Sequence, residues 1–358
     1  MMNARENLLS LFRREGFDFV PPEFSLCPSL VARYVRETGS DAPYEDYFSL
    51  PWRNVQDIHL TAAADTAQFR AWYQKPLAED TEINAWGMGF ERGSAAAAHM
   101  RHMRHPLQGH EDLDTIRAYP FPRFARGATA AQREQVAAIH ARGLAATGNM
   151  QCTIWETAWY LRSMEDLMMD MADDSPIATF LLDIVLEQAV ARAEAYAHAG
   201  VDILYLGDDV GTQRGPLMSL ALYRQWIWPR LKTVIDAAKA IRPDLLVAYH
   251  SCGAATAFIP DLIAAGIDIL NPLQSECMDF REVVAAYGDR LSFHGCLGTQ
   301  TVFPFGTPEE VRAATFACLD ACGPKGGMLA APTHLLEPEV PWENVLAYVQ
   351  ACANYTAR

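Results

Sequence analysis

The sequence predicts an α/β fold, a single-domain (β/α)8 TIM barrel with an N-terminal extension, and three observations predict it. From residue 130 onward, helical periodicity alternates with short apolar runs that end in glycine or a polar residue, the mark of a parallel sheet. Histidine, cysteine and carboxylate side chains collect at the ends of those runs, where barrels gather their reactive groups. No Gly-x-Gly-x-x-Gly turn follows an early strand, which disfavours the doubly wound open sheet, the structural alternative.

The elements follow in order. Residues 1–16 form an amphipathic helix with Leu8, Leu9, Leu11 and Phe12 on its apolar stripe and Gly16 placed to end it. Phe17 to Phe24 offers a first short strand. The stretch from 40 to 115 holds Trp52, Trp72, Trp86 and the Ala-rich segment Gly93 to His105, read as a capping hairpin plus a helix. Residues 1–115 thus supply N-terminal helices, first strands and a capping insertion, and 116–358 supply regular strand–helix repeats. Helices at 130–142, 176–199, 219–241, 254–265, 279–287 and 307–321 lead to strands at Leu144–Ile154, Val201–Gly207, Leu245–His250, Ile267–Pro272, Leu291–Gly295 and Gly327–Ala331. A helix at 341–356 closes the chain. Right-handed crossovers complete a barrel if the first third adds two strands. No linker or low-complexity run divides the 358 residues, so 1–358 reads as one domain.

Half of the residues are hydrophobic and 20% are charged, enough to bury a large core. A net charge of −15 argues against nucleic acid and anionic membranes, which need a basic surface. No apolar run approaches the ~20 residues of a bilayer span, and Met1 to Asn7 lacks a signal-peptide core; a cytoplasmic protein is expected. Its eight cysteines are scattered, unlike a secreted disulfide framework, and are expected to be reduced.

The strand exits present Glu156, Asp208 with Asp209, His250 with Cys252, Asn271 with Gln274, His294 with Cys296, and His334. Helix capping explains Asp, Asn or Thr at such positions, but not imidazoles and thiols. His250 and Cys252, two apart on an extended strand, point to one side and can share a borderline-soft ion, zinc first. A core histidine beside a buried thiol is the competing explanation. A third ligand must come from elsewhere: His334 and Cys296 lead, with His294, Glu276 and Cys277 behind them. Asp208 and Asp209 arrive together after Leu204-Tyr205-Leu206-Gly207, and mutual repulsion suits one to acid–base work or to holding a cation. Alternatively, one of them caps a helix while the other faces water. Gly211 and Gly215 are turn glycines, His99, His102 and His105 form a solvated helix face, and Met168, Met169 and Met171 are packing.

Several runs resemble one family. They are Tyr249-His250-Ser251-Cys252-Gly253, Ala265 to Gln274, Gly207 to Gln213, Tyr287 to Gly295, and Pro341-Trp342-Glu343-Asn344. Together, in order and spacing over residues 150–356, they resemble the methyltransferase-type branch of the uroporphyrinogen decarboxylase superfamily. The resemblance implies a (β/α)8 barrel with its site at the C-terminal face. It further implies zinc held by a histidine and cysteine two apart plus a later cysteine, and methyl transfer between corrinoid proteins and thiols. His250 and Cys252 match the pair, whereas the last strand reads Ala331-Pro332-Thr333-His334, so His334 stands where that cysteine is expected. The arginine-rich segment that grips a polycarboxylate porphyrinogen is replaced by Val20-Pro21-Pro22-Glu23-Phe24-Ser25-Leu26-Cys27, which disfavours that substrate.

The expectation is a zinc-dependent methyltransferase acting between a small methylated substrate or thiol and a corrinoid. Asp208 and Glu156 are the expected catalytic residues, with Asp208 orienting or protonating the reacting group. Asn271, Gln274, His294 and Asp209 would contact substrate, and His250, Cys252, His334 and Cys296 are the metal-ligand set. Asp57-Ile58-His59 lacks the downstream glycine of a corrinoid-binding module, so any corrinoid rides on a partner protein; a homodimer stays open. A metal-independent decarboxylase or lyase using Asp208 is the alternative chemistry. A binding protein without turnover is a third reading, and it requires that Cys252→Ala leave binding intact.

Overall fold

The computed structural model describes residues 1–57, 60–61, 65–93 and 100–356. Its strands in chain order are β1 (Trp52–Val55), β2 (Glu82–Ile83), β3 (Gly89–Arg92), β4 (Arg101–Arg104), β5 (Ala145–Gln151), β6 (Ile203–Gly207), β7 (Leu246–His250), β8 (Ile269–Asn271), β9 (Ser292–His294) and β10 (Met328–Leu329). β1 and β5 to β10 form one seven-stranded parallel sheet in the order β1-β5-β6-β7-β8-β9-β10. Such strands are covered on both faces and so read as continuous apolar runs, as in Ile203-Leu204-Tyr205-Leu206. The sheet curls into a TIM-barrel-like half-barrel. Trp52 on β1, Tyr205 on β6 and His294 on β9 meet inside it, with ring centres 5.1 Å apart for Trp52–His294 and 6.3 Å for Trp52–Tyr205. Strands that are not neighbours in a flat sheet could not bring those rings together.

The expected strand at Phe17 to Phe24 does not form. Pro21 and Pro22 lack the N–H groups a ladder needs, and only Leu26 makes a parallel bridge, to Leu336 beyond β10. The Ala-rich helix is also replaced in part. Arg101–Arg104 is a strand of the antiparallel β2-β3-β4 sheet, so His102 and His105 share no helix face; residues 94–99, with His99, lie outside the described residues. His105 instead rests against Trp159, its Nδ1 2.8 Å from the Tyr160 carbonyl. Ile58 and His59 also lie outside the described residues.

Most helices stand where periodicity put them, because their ends are written locally. Thr129 with Gln132 and Thr307 with Glu310 form capping boxes for the helices Ala130–Ala141 and Pro308–Cys322. Ser175 caps the helix Pro176–Ala199, and Gly200 ends it in the left-handed conformation. The helix expected at 219–241 breaks into Leu220–Trp226 and Trp228–Ile241, since Pro229 has no N–H and its ring crowds the carbonyl one turn back. Two helices at Trp155–Arg162 and Met164–Ala172 fill the long connection after β5.

The first helix, Ala4–Arg13, stops at Arg14, whose φ of 59° is left-handed, before Gly16 is reached. It plugs the N-terminal end of the sheet. Leu8, Leu9, Leu11 and Phe12 pack against the inward residues Ala145, Ile203, Leu246, Ala248, Ile269 and Leu329. Asp202 ties this end together, receiving hydrogen bonds from Arg5, His140 and the Ala146 N–H. With that end closed, access is left to the opposite end, where the strands finish. No helix among the described residues is long and apolar enough to cross a membrane.

Candidate functional site

β6 and β7 run in register with Gly207 beside His250, so the residues after both strands emerge together. Glycine is required at 207: a Cβ there would lie 2.7 Å from the His250 Cβ and 2.7 Å from its carbonyl oxygen. The close approach brings three donors together. The Cys252 Sγ is 3.3 Å and an Asp209 Oδ1 is 3.8 Å from the His250 Nε2, and one ligand atom from each of the three residues lies within 4.8 Å of the others. The Cys252 N–H donates to Asp209 Oδ1 at 2.7 Å, holding the carboxylate against the pair.

The tautomer of His250 follows from its neighbours. Asn271 Nδ2 donates to the His294 carbonyl at 3.0 Å, which turns its Oδ1 to the His250 Nδ1 at 2.6 Å. Nδ1 therefore carries the hydrogen, and Nε2 presents a lone pair to the thiol and carboxylate. Burial keeps the His250 pKa below its ordinary value, against the pull of Asp209. Burial, then the charges of Asp209 and Glu156, push the Cys252 thiol up to about 12. A neutral imidazole, a thiol and a carboxylate packed this tightly are a donor set that a divalent cation satisfies: zinc accepts N, S and O ligands, and its charge stabilises the thiolate. Three protein ligands with one open side fit zinc, and the open side faces a cavity of about 620 Å³.

Glu156 lies on that cavity at the start of the helix Trp155–Arg162. Its Oε1 accepts from the Tyr160 hydroxyl at 2.9 Å and its Oε2 from the Asp209 N–H at 3.3 Å. Burial, and next the charge of Asp209, raise its pKa to about 7, the range of an acid–base group at neutral pH.

Other expected site residues are placed differently. Asp208 is fully buried and does not reach the cavity; its carboxylate accepts from the N–H groups of Ile154 at 3.0 Å and Glu156 at 2.9 Å, capping the helix that holds Glu156. That corrects the catalytic expectation: successive residues leaving a strand point to opposite sides, and Asp209 is the one that faces the cavity. Gln274 accepts from the Gly253 N–H at 2.7 Å and supports the Cys252 loop from behind. Cys296 is not available as a ligand, because it forms a disulfide with Cys318, which also corrects the expectation that all thiols are reduced. Cys277 contacts Gln213, and Glu276 accepts from the Gln300 N–H. His334 is exposed on the cavity rim, its ring centre 6.4 Å from that of His250, outside the three-residue group. His294 pairs with Glu23, Nε2 to Oε2 2.7 Å, and lies 3.3 Å from the Tyr205 hydroxyl.

Sequence reasoning did not assign a role to Glu23, Tyr44, Glu45, Trp52, Tyr160 or Tyr205, all of which line the cavity. Only Tyr160 left a trace, one helical turn after Glu156 and so on the same face.

Comparison with known proteins fits this geometry. A methylcobamide:CoM methyltransferase of Methanosarcina barkeri is 28% identical over 177 residues, 49% of this chain and 48% of that protein. A methylated-thiol–coenzyme M methyltransferase of Methanosarcina mazei is 28% identical over 209 residues, 54% of this chain and 49% of that protein. The chain thus spans about half the length of the curated relatives it matches. A solved methyltransferase structure from Methanosarcina mazei superposes with a TM-score of 0.66, covering 98% of each chain at 18% identity, which speaks to the fold. The uroporphyrinogen decarboxylase (URO-D) family model matches residues 81–355, a span that includes the paired strands β5 to β10 and all three residues of the donor group, and the chain belongs to that family.

Proposed function

We propose that this chain is a zinc-dependent methyltransferase that moves a methyl group between a small thiol or methylated substrate and a corrinoid carried on a separate protein. The observation behind it is the convergence of Asp209, His250 and Cys252 on one point at the edge of a closed-ended cavity. The two curated relatives, both named as methyltransferases, support the same reaction class. Asp209, His250 and Cys252 would hold the ion, with Asp209 in the place the sequence left to His334 or Cys296. When bound, zinc supplies Lewis acidity, lowering the pKa of a substrate thiol or polarising the heteroatom that bears the methyl group.

The chain's own residues do the rest. Asn271 fixes the ring of His250, and Gln274 holds the Cys252 loop through Gly253. Glu156, ionised above about 7, takes the proton that an entering thiol gives up, and Tyr160 steadies that carboxylate. In this direction the substrate sulfur would gain the methyl group, and the corrinoid, as the partner protein's methyl-carrying substrate, would depart with the electron pair of the broken bond. The plug formed by Ala4–Arg13 closes the far end, so the reacting atoms meet at the open rim where a partner protein can present its cofactor.

The metal-independent decarboxylase reading depended on Asp208, whose carboxylate is occupied by backbone N–H groups away from the cavity. No observation favours it. Metal analysis of freshly purified protein tests the proposal: about one zinc per chain is expected, lost in His250→Ala and in Cys252→Ala. Full turnover after exhaustive chelation would defeat it. Unchanged binding and biological activity in Cys252→Ala would favour a binding protein without turnover.

A further inference from the structure

Resting on that metal–thiol reading, we propose that the small substrate carries a positive charge. It is a thiol or thioether whose sulfur goes to the Asp209, His250 and Cys252 side, and whose cationic group goes to the opposite wall of Glu23, Glu45, Tyr44 and Trp52.

The topology sets the two ends apart. His250 ends β7, while Glu23 precedes Leu26, which bridges Leu336 beyond β10. Following the sheet from β7 through β8, β9 and β10 leads to the Glu23 segment on the far side of the opening. A small molecule reaching across the cavity must therefore satisfy a metal at one end and this wall at the other.

The wall is built for a cation. Among the described residues, four carboxylates line the cavity, Glu23, Glu45, Glu156 and Asp209, against one arginine and no lysine. That arginine, Arg53, is already engaged by Asp46 and donates to the carbonyls of Leu50 and Trp52 at 2.9 and 2.6 Å. The Glu23 carboxylate is 2.7 Å from the His294 Nε2, and the Nδ1 of the same ring is 3.3 Å from the Tyr205 hydroxyl, so one tautomer of the ring donates to Glu23 and accepts from Tyr205. Burial and then the negative charge of Glu45 push the Tyr44 hydroxyl up to about 12, in line with a negative potential on this side. Trp52 and Tyr44 add aromatic surface, and cations are attracted to aromatic faces. A carboxylate or sulfonate at the same wall would meet Glu23 and Glu45 with no free guanidinium or ammonium among the described lining residues to offset them.

Three two-carbon thiols that differ only in charge separate the cases: 2-aminoethanethiol, 2-sulfanylethanol and 2-sulfanylethanesulfonate, titrated calorimetrically into the zinc-loaded full chain. The amine is expected to bind on the order of tenfold tighter than the alcohol, and the sulfonate more weakly than the alcohol. Glu23→Gln and Glu45→Gln should each narrow the gap between amine and alcohol, weakening the amine more than the alcohol. On the unmodified protein, tetramethylammonium chloride should compete with the amine more strongly than sodium chloride does, a readout that needs no variant to fold. Equal affinity for all three thiols, or tighter binding of the sulfonate, overturns the charge assignment and leaves the metal–thiol reading standing. If none of the thiols binds the zinc-loaded protein, that reading falls and this inference falls with it.

Discussion

Replacing Asn271 with alanine is expected to weaken zinc binding by about ten- to a hundredfold without unfolding the protein. The side chain makes two contacts that the variant loses: the 2.6 Å contact to the His250 Nδ1 and the 3.0 Å bond to the His294 carbonyl. The first sets the magnitude. An imidazole N–H polarised by a metal resembles a charged donor, whose hydrogen bonds contribute about 1.5–3 kcal/mol. Since about 1.4 kcal/mol is a factor of ten in an equilibrium constant, one such bond accounts for the whole expected range. Asn271→Asp keeps an acceptor facing His250 and adds charge, but it sets a carboxylate oxygen against the His294 carbonyl that Asn271 Nδ2 bonds, so its affinity should fall between those of the alanine variant and the wild type. Competition between purified protein and a chromogenic zinc chelator at neutral pH reads both variants, with thermal melts to verify folding. Wild-type affinity in the alanine variant, or an aspartate variant weaker than alanine, would refute the idea that Asn271 sets the His250 tautomer for a metal.

Glu156→Gln should lower turnover by about 10²–10⁴-fold. In the wild type the rate should fall as pH drops below about 7, where Glu156 protonates, and the glutamine variant should lose that limb; an unchanged pH–rate profile would exclude Glu156 as the proton acceptor. Cys296→Ser should retain bound zinc while Cys252→Ser loses it, and a thiol titration of denatured, unreduced protein should count the six free cysteines and not eight. His334→Ala should keep its metal to within a few-fold, because three other donors already converge. Asp202→Asn should cost about 3 kcal/mol of stability, read as a lower melting temperature. Burial raises the Asp202 pKa, but hydrogen bonds from Arg5, Ala146 and His140 outweigh it, and the folded-state value is depressed. The stability difference should therefore be complete above about pH 4, the unfolded value. It should shrink as pH falls through the lower folded-state value, and a gap that persisted in strong acid would point to lost packing instead.

Much of the barrel could be read from the chain because its signals are local. A capping box at Thr129, a serine at 175 with glycine at 200, and apolar runs ending at Gly207 and His250 each act within a few residues, so periodicity and end signals place them without knowledge of the fold. The same holds for His250 with Cys252, since two residues apart on an extended backbone share a face whatever surrounds them. Where a proline intervened the local signal was present but its strength was misjudged, as at Pro229, which breaks a helix, and at Pro21 and Pro22, which prevent a strand.

What tertiary structure alone decided is which distant groups meet. Asp208 and Asp209 are equivalent in the sequence, yet one caps the helix Trp155–Arg162 and the other turns to His250. That choice depends on how β5 and β6 lie side by side. Cys296 read as a ligand by its place at a strand end, and its disulfide with Cys318 is a matter of the helix Pro308–Cys322 packing beside β10. Tyr44 and Trp52 sit in the segment with the weakest periodicity and Glu23 in the expected strand that does not form; all lie more than 190 positions before His250 by number and become cavity walls only because the sheet curls. Local sequence sets which way a side chain leaves its own strand or helix; only the curl of the sheet sets what it then faces, because that distance is the sum of every register and crossover in between.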